Sequence, residues 1–238
     1  MKKYLIMTFV LFIGFISNVN AKEDVYFISS NGVEMTELQY NNIKTIHGEE
    51  FLNSMDLETF NKYYEFYSSR DLKIEKETNV NQILPFSNNI STEYKELLIT
   101  KSSILGKNMI TVHLKWKKPP KIRSYDVFGF RTNFSYANVT TKVNFYGAYT
   151  ELTNNIKQKV NAYGISVKLP TDSENISMQI TFTTTSSGTV YASYQHAVKN
   201  ISLNSSTNYV FSPNGLGNVF LFNDNSLFDK MQGVSINI

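Results

Sequence analysis

The chain has 238 residues, no cysteine and a formal net charge of +3, with 42% hydrophobic and 14% aromatic residues. Without cysteine there is no disulfide framework and no thiolate metal site, so stability has to come from a hydrophobic core. A charge this small gives no reason to expect a nucleic-acid partner.

Residues 1–21 read as a secretory signal peptide. Lys2 and Lys3 form a positive start, residues 4–16 (YLIMTFVLFIGFI) are apolar, and Val19-Asn20-Ala21 offers slim side chains to a signal peptidase. The apolar run has 13 residues, whereas a spanning helix needs about 20, which favours a cleaved signal over an uncleaved anchor. Cleavage near Ala21 leaves 217 of the 238 residues, starting at Lys22, as a secreted, extracellular protein. No later segment is long and apolar enough to span a bilayer, so the mature chain is expected to have no transmembrane segment. Abundant Asn, Ile, Lys, Tyr and Phe fit a low-GC bacterial genome.

Charge divides the mature chain. Residues 22–100 carry 7 Lys or Arg against 14 Asp or Glu, and residues 101–238 carry 14 against 6. Opposite balances suggest two units, whose attraction either docks one on the other or leaves the basic one for an outside anion.

The first unit, residues 22–67, reads as a short strand followed by small helices. Residues 24–29 are strand-like, and Ser30-Asn31-Gly32 is a turn because Asn and Gly tolerate positive φ. Thr36 with Gln39 forms a capping box for a helix over residues 37–46, which Gly48 stops. Residues 49–55 form a second helical piece. Asp56 caps a third helix over residues 57–67, with Leu57, Phe60, Tyr64 and Tyr67 as its buried stripe. Residues 68–90 are charged and polar, and are expected to be a linker.

From residue 91 to 238 the period is two, and the expectation is an antiparallel β-sandwich domain, making the whole chain α+β. Ile110, Val112, Leu114 and Trp116 share one face of a strand, opposite Thr111, His113, Lys115 and Lys117. Ile176, Met178, Ile180 and Phe182 alternate with Ser177, Gln179, Thr181 and Thr183; Ile176, Ile180 and Phe182 are expected to be buried, and Gln179 and Thr181 to face solvent. Ser186-Ser187-Gly188 reads as a turn returning residues 189–198 as a hairpin partner. Further strands are expected at 126–136, 139–146, 160–169, 208–212 and 219–222.

The stretch VYFISSNGVEMTELQYNN at residues 25–42 with MDLETF at 55–60, and GTVYASYQHAVKNISL at 188–203 with the closing GVSI, resembles a group of exported proteins from Bacilli and Clostridia. The resemblance covers the two ends and little of the middle. It implies a Gram-positive exported protein with a helical front and a β-rich back, and it brings no catalytic or ligand residues with it.

No catalytic residue, metal site or cofactor is expected. The three histidines, His47, His113 and His196, form no metal-ligand spacing. His47 at a helix end can satisfy a last carbonyl, and His113 shares the polar face with Lys115 and is expected to point to solvent. His196 shares parity with Val190, Ala192 and Tyr194, which places it in or beside the core. There is no nucleophile elbow, and Asn214-Gly215-Leu216-Gly217-Asn218 lacks the lysine and helix of a phosphate loop.

The most distinctive segment is KWKKPPKIR, where Lys115, Lys117, Lys118, Lys121 and Arg123 surround a double proline that breaks the strand and projects a stiff loop. These five residues are the candidate binding site, for an anionic cell-surface polymer or another protein. The alternative is a solvated loop whose lysines protect a sheet edge. Trp116 is placed in the core by its parity with Ile110, Val112 and Leu114. A secreted non-catalytic binding protein is the favoured function. The two alternatives are a secreted hydrolase with carboxylates gathered from distant positions and a β-pore-forming protein built on the amphipathic hairpin at 176–193.

Overall fold

The computed structural model describes residues 24–78, 94–203, 209–212, 219–229 and 233–238. The expected signal peptide and residues 79–90 of the expected linker lie outside these.

A two-stranded hairpin opens the chain, β1 (Phe27–Ile28) and β2 (Glu34–Met35), closed by Gly32 at φ +79°. Four short helices follow: α1 (Glu37–His47), α2 (Glu49–Leu52), α3 (Leu57–Lys62) and α4 (Tyr64–Tyr67). The Thr36–Gln39 capping box is present, with Thr36 N donating to Gln39 Oε1 at 2.9 Å. Asp56 caps α3 by accepting from Thr59 N at 2.8 Å. The third helix is not continuous, however. It breaks at Tyr63, and this rephases the buried stripe to Phe60, Tyr63, Phe66 and Tyr67, leaving the expected core residues Leu57 and Tyr64 exposed.

The remaining strands form antiparallel sheets. One has six strands in the order β3 (Lys73–Thr78), β4 (Lys95–Ile104), β5 (Lys107–Trp116), β11 (Ser177–Thr184), β7 (Ala137–Asn144) and β8 (Tyr149–Glu151). The other has five, in the order β15 (Val234–Asn237), β12 (Thr189–His196), β6 (Tyr125–Thr132), β10 (Ala162–Lys168) and β9 (Ile156–Lys159). Leu97, Ile99, Ile110, Val112 and Ile180 from the first sheet share one core with Phe128, Phe130, Ile165, Val190 and Val234 from the second. A further hairpin, β13 (Tyr209–Phe211) and β14 (Phe220–Phe222), packs in a separate cluster with Val127 and Ala162. Gly164 makes room for it: a Cβ there would come within 2.6 Å of the Phe220 ring.

Three expectations are corrected. First, residues 73–78 of the expected linker form β3, which pairs with β4 from Lys73↔Ser103 to Thr78↔Leu98. Their Lys/Glu alternation suits an edge strand, where charged side chains face water and discourage further pairing.

Second, β11 and β12 are not hairpin partners. β11 pairs with β5 and β7, while β12 pairs with β6 and β15, so the chain crosses between sheets at residues 185–188. Gly188, at φ +146°, exchanges backbone hydrogen bonds with Ile238 at that corner. Alternation shows that each strand has one apolar face but not whether two successive strands lie side by side or face to face. With the hairpin gone, the sequence argument for a pore-forming barrel goes too.

Third, Gln179 and Thr181 are buried, at 1% and 4% exposure. The helices cover this polar face of β11. Ile43, Phe51, Phe60 and Tyr67 form one cluster with Ile104, Met109 and Tyr149 from the six-stranded sheet. The Tyr63 hydroxyl lies 2.6 Å from Asn138 O and 3.0 Å from Thr181 O. The opposite charges of the two regions meet here: Glu50 with Lys115 at 2.9 Å, Glu65 with Lys107 at 2.6 Å, and Asp56 with Lys142.

Both faces of β11 being covered, Gln179 and Thr181 find their partners inside the protein, the Thr181 hydroxyl meeting that of Thr111 at 3.2 Å. Gln179 accepts at Oε1 from His47 Nδ1 (2.9 Å) and donates from Nε2 to His47 O (2.7 Å) and Tyr149 Oη (3.2 Å). His47 Nε2 then meets Tyr67 Oη at 2.9 Å, and Tyr149 Oη lies 3.3 Å from His113 Nε2. His47 is therefore a docking residue rather than a simple helix cap, and His113 is half-buried instead of facing solvent. Burial lowers the His47 pKa to about 4, with Lys142 adding to the shift, and burial followed by the Lys115 charge lowers that of His113 to about 3. Both imidazoles are neutral at pH 7.

A folded-state pKa below the unfolded value means that the unfolded chain binds the proton more readily, so the stabilisation is present above pH 6.5 and is lost as pH falls toward 4. His47 alone should contribute about 3 kcal/mol to that loss. Urea unfolding at pH 7, 5 and 4 should show the decline, and His47→Gln should make it shallower, the remaining slope being that of His113.

Candidate functional site

The distinctive loop leaves β5 at Trp116. Lys117 N and Lys118 N both donate to Tyr94 O, at 2.7 and 3.1 Å, and the next two residues, Pro119 and Pro120, have no N–H with which to continue the ladder. The loop therefore turns away from the sheet and arches over a cavity of about 400 Å³. Tyr94, Trp116 and the two prolines form its apolar walls, Lys118 and Lys121 its rim, and Lys95 and Asp229 its polar end.

Cross-strand register assembles that end. Lys95 is opposite Trp116 in the β4–β5 pair, and Asp126 is opposite His196 in the β6–β12 pair, so the two sheets bring these four side chains together across the core. Asp126 has no exposed surface. It accepts from His196 Nδ1 at 2.6 Å and from Trp116 Nε1 at 3.0 Å. Asp229 follows a 3₁₀ turn at Asn225–Leu227 and is fixed by the end of β12, its N–H donating to His196 O at 2.8 Å and its Oδ1 accepting from His196 N at 2.7 Å. The other carboxylate oxygen pairs with Lys95 Nζ, which also lies 5.0 Å from the Trp116 ring centroid and 4.8 Å from that of Tyr194. Burial, followed by the negative charges of Asp126 and Asp229, pushes the Tyr194 phenol well above its ordinary range, so it stays protonated.

The five sequence-predicted site residues do not act as one patch. Lys118 and Lys121 border the cavity, with the Lys118 ammonium 5.5 Å from the Tyr94 ring centroid. Lys115 and Lys117 are engaged elsewhere, by Glu50 at 2.9 Å and Glu96 at 3.1 Å. Arg123 donates from Nη2 to Ser173 O at 2.8 Å and braces the loop base. Lys118 and Lys121 make no ion pair among the described residues. Trp116 lies in the core, as its parity requires, and also contributes to the cavity wall.

Sequence reasoning missed Lys95, Asp126 and Asp229. For two of them the signal was present: Lys95 shares parity with Leu97 and Ile99, and Asp126 with Phe128 and Phe130, so each is a charge on an apolar face. Asp229 had no such signal, because it lies outside the strands.

A second cavity, of about 340 Å³, borders Glu65, Lys107 and Thr183, but Glu65 and Lys107 pair with each other and leave it no free charge to offer. Among the described residues no three His, Asp or Glu side chains gather to hold a metal ion. No helix among them is long and apolar enough to cross a membrane.

No family model matches the chain, and neither does any curated protein. Among solved structures it is similar to the KRT10-binding region domain of the pneumococcal serine rich repeat protein PsrP, at 8% identity over 52% of this chain and 87% of that one, with a TM-score of 0.31. It is also similar to a chain from a structure on pH-induced modulation of Streptococcus parasanguinis adhesion by Fap1 fimbriae, at 14% identity over 69% and 95%, with a TM-score of 0.31. A third likeness is to the enzymatically active domain of bacteriophage CBA120 tailspike protein 4, at 10% identity over 55% of this chain and 20% of that one, with a TM-score of 0.26. Scores this low carry no argument, and the site is read from its own residues.

Trp116→Phe should separate the two roles of the indole. It keeps an aromatic ring in the core but removes one of the two donors to the buried Asp126 carboxylate, which should cost about 2 kcal/mol. Trp116→Ala should cost roughly 3–5 kcal/mol, because packing is lost as well. Urea titrations followed by circular dichroism measure both.

Proposed function

We propose that this is a secreted, non-catalytic extracellular binding protein whose site is the cavity under residues 118–121, and that its ligand is an anionic surface polymer. The observation that carries the reading is the pairing of two rim lysines, Lys118 and Lys121, free of ion pairs among the described residues, with an aromatic-walled cavity of about 400 Å³. Concave, largely apolar sites with a few convergent polar groups are where ligands bind. Secretion rests on the composition of residues 1–21, and a Gram-positive origin on the resemblance at residues 25–42 and 188–203. The division into a strand-plus-helices unit at 22–67 and a β-sandwich that includes residues 73–78 as well as those from 94 onward belongs to the same proposal. Its support is the single core shared by the inner faces of the two sheets.

The hydrolase reading has one observation in its favour, the convergence of Asp126 and Asp229 on His196. Both acids are already engaged. Asp126 has no surface from which to activate a water, and Asp229 holds Lys95 and the His196 N–H. A general acid or base has to reach the substrate or its water, and this arrangement favours a structural role.

Attraction by two exposed lysines acts within a Debye length of about 8 Å at physiological salt and weakens as salt rises. Binding to protease-treated Gram-positive walls should therefore fall with added salt, and the double change Lys118→Ser, Lys121→Ser should remove most of it. Changing Lys115 and Lys117 instead should leave it nearly intact. Equal binding by the Lys118/Lys121 variant at every salt concentration would refute the site.

A further inference from the structure

The cavity is not built for negative charge alone. Lys118 and Lys121 attract an anion at its rim, yet Asp229 presents a carboxylate to the same space, its side chain 20% exposed. One Asp229 oxygen accepts from His196 N and the other from Lys95 Nζ. An ionised carboxylate has about four acceptor positions and no donor. The remaining positions call for hydrogen-bond donors on the ligand, and a polyanion without hydroxyl groups supplies only repulsion there. The walls add a third requirement. The Tyr94 ring, the Trp116 indole, Pro119 and Pro120 present apolar faces that a ligand with a C–H surface can cover.

One negative group, several hydroxyl donors and an apolar ring face together describe a carboxylated sugar. Resting on the binding reading above, we infer that the cavity takes a uronic-acid unit of an acidic polysaccharide. Its carboxylate lies toward Lys118 and Lys121, a ring hydroxyl donates to Asp229, and the C–H face of the ring packs on Tyr94 and Trp116. The Lys95–Asp229 pair then has a binding role as well as a structural one: Lys95 holds the carboxylate aimed, so that it accepts from a hydroxyl while the rim lysines hold the opposite side of the sugar.

Trp116 is the only tryptophan in the chain and lines the cavity, so its fluorescence reports occupancy directly. The test titrates the mature protein with a trigalacturonate, with the uncharged methyl ester of the same trisaccharide, and with inorganic polyphosphate. The expected result is a saturable Trp116 signal with trigalacturonate, and at least about tenfold weaker binding for the other two. Tyr94→Leu, which keeps the backbone carbonyl that anchors the loop, should weaken trigalacturonate about tenfold and leave polyphosphate unchanged. Lys118→Ser with Lys121→Ser should weaken both charged probes. Polyphosphate binding as tightly as trigalacturonate, or Tyr94→Leu having no effect, overturns the sugar assignment while leaving a charge-driven site standing. Equal binding of the methyl ester overturns the role of the carboxylate. A Trp116 signal that moves with none of the three overturns this inference and the cavity as a binding site together, provided circular dichroism shows each protein folded.

Discussion

The arrangement of the site depends on a cost the fold carries at one end of its core: Asp126 and Lys95 are charged side chains at 0% and 2% exposure. Burying a charge is expensive unless it is paired and hydrogen-bonded. Each is provided for from the opposite sheet or from the chain beyond it. Asp126 on β6 receives Trp116 Nε1 from β5, and Lys95 on β4 receives Asp229 from the segment after β14. Such pairs are weak sources of net stability. Their geometric effect is firmer, because an indole that donates to a fixed carboxylate and an ammonium held between two rings leave few alternative ways for the sheets to meet at this end. Trp116, Lys95 and Asp229 from these pairs also line the cavity, so the geometry of the site follows from that of the core.

What the sequence made legible was whatever depended on period and on local caps. The strands expected near 110–116, 126–136, 139–146, 160–169, 176–183 and 189–198 form with ends shifted by a few residues, while β4, β8, β9 and β15 were not foreseen, and the Thr36–Gln39 and Asp56 caps form as their residue types require. Whatever depended on a partner distant in sequence was not legible. Nothing in residues 176–198 distinguishes a hairpin from an arch between sheets, because in both cases each strand needs one apolar face. Ser177, Gln179 and Thr181 look like a solvent face by composition, and become an interior face only because helices formed more than a hundred residues earlier settle on them. The buried charges were a different case: Asp126 and Lys95 stand on apolar parity, and a charge at such a position calls for an unseen partner.

The helices can cover that face because their contacts with it are chemically mixed. Large rings such as Phe51, Phe60 and Tyr67 exclude water, while His47, Tyr63 and Gln179 supply the hydrogen bonds that a polar strand loses when it is covered. The opposite charges of the two regions act at the margins, through Glu50–Lys115 and Glu65–Lys107. Exposed pairs of this kind contribute little individually. Their clearer consequence is for the candidate site, since they remove Lys115 from the surface charge that the loop would otherwise present.

The double proline decides how the loop lysines are distributed. Along β5 the inward positions are Ile110, Val112, Leu114 and Trp116, so continuing the strand by two residues would direct Lys118 into the core. A lysine there would need a second buried acid, and the end of the core is already occupied by the Lys95–Asp229 pair. Prolines 119 and 120 end the ladder first, because they have no N–H to donate. Lys118 therefore stays exposed, with its ammonium over the Tyr94 ring and beside the opening that the arching loop creates. Lys117, on the outward parity, reaches Glu96 on the neighbouring strand instead. The break in the strand thus separates Lys115 and Lys117, which are ion-paired, from Lys118 and Lys121, which have no ion pair among the described residues, and it opens the cavity at the place where these two stand.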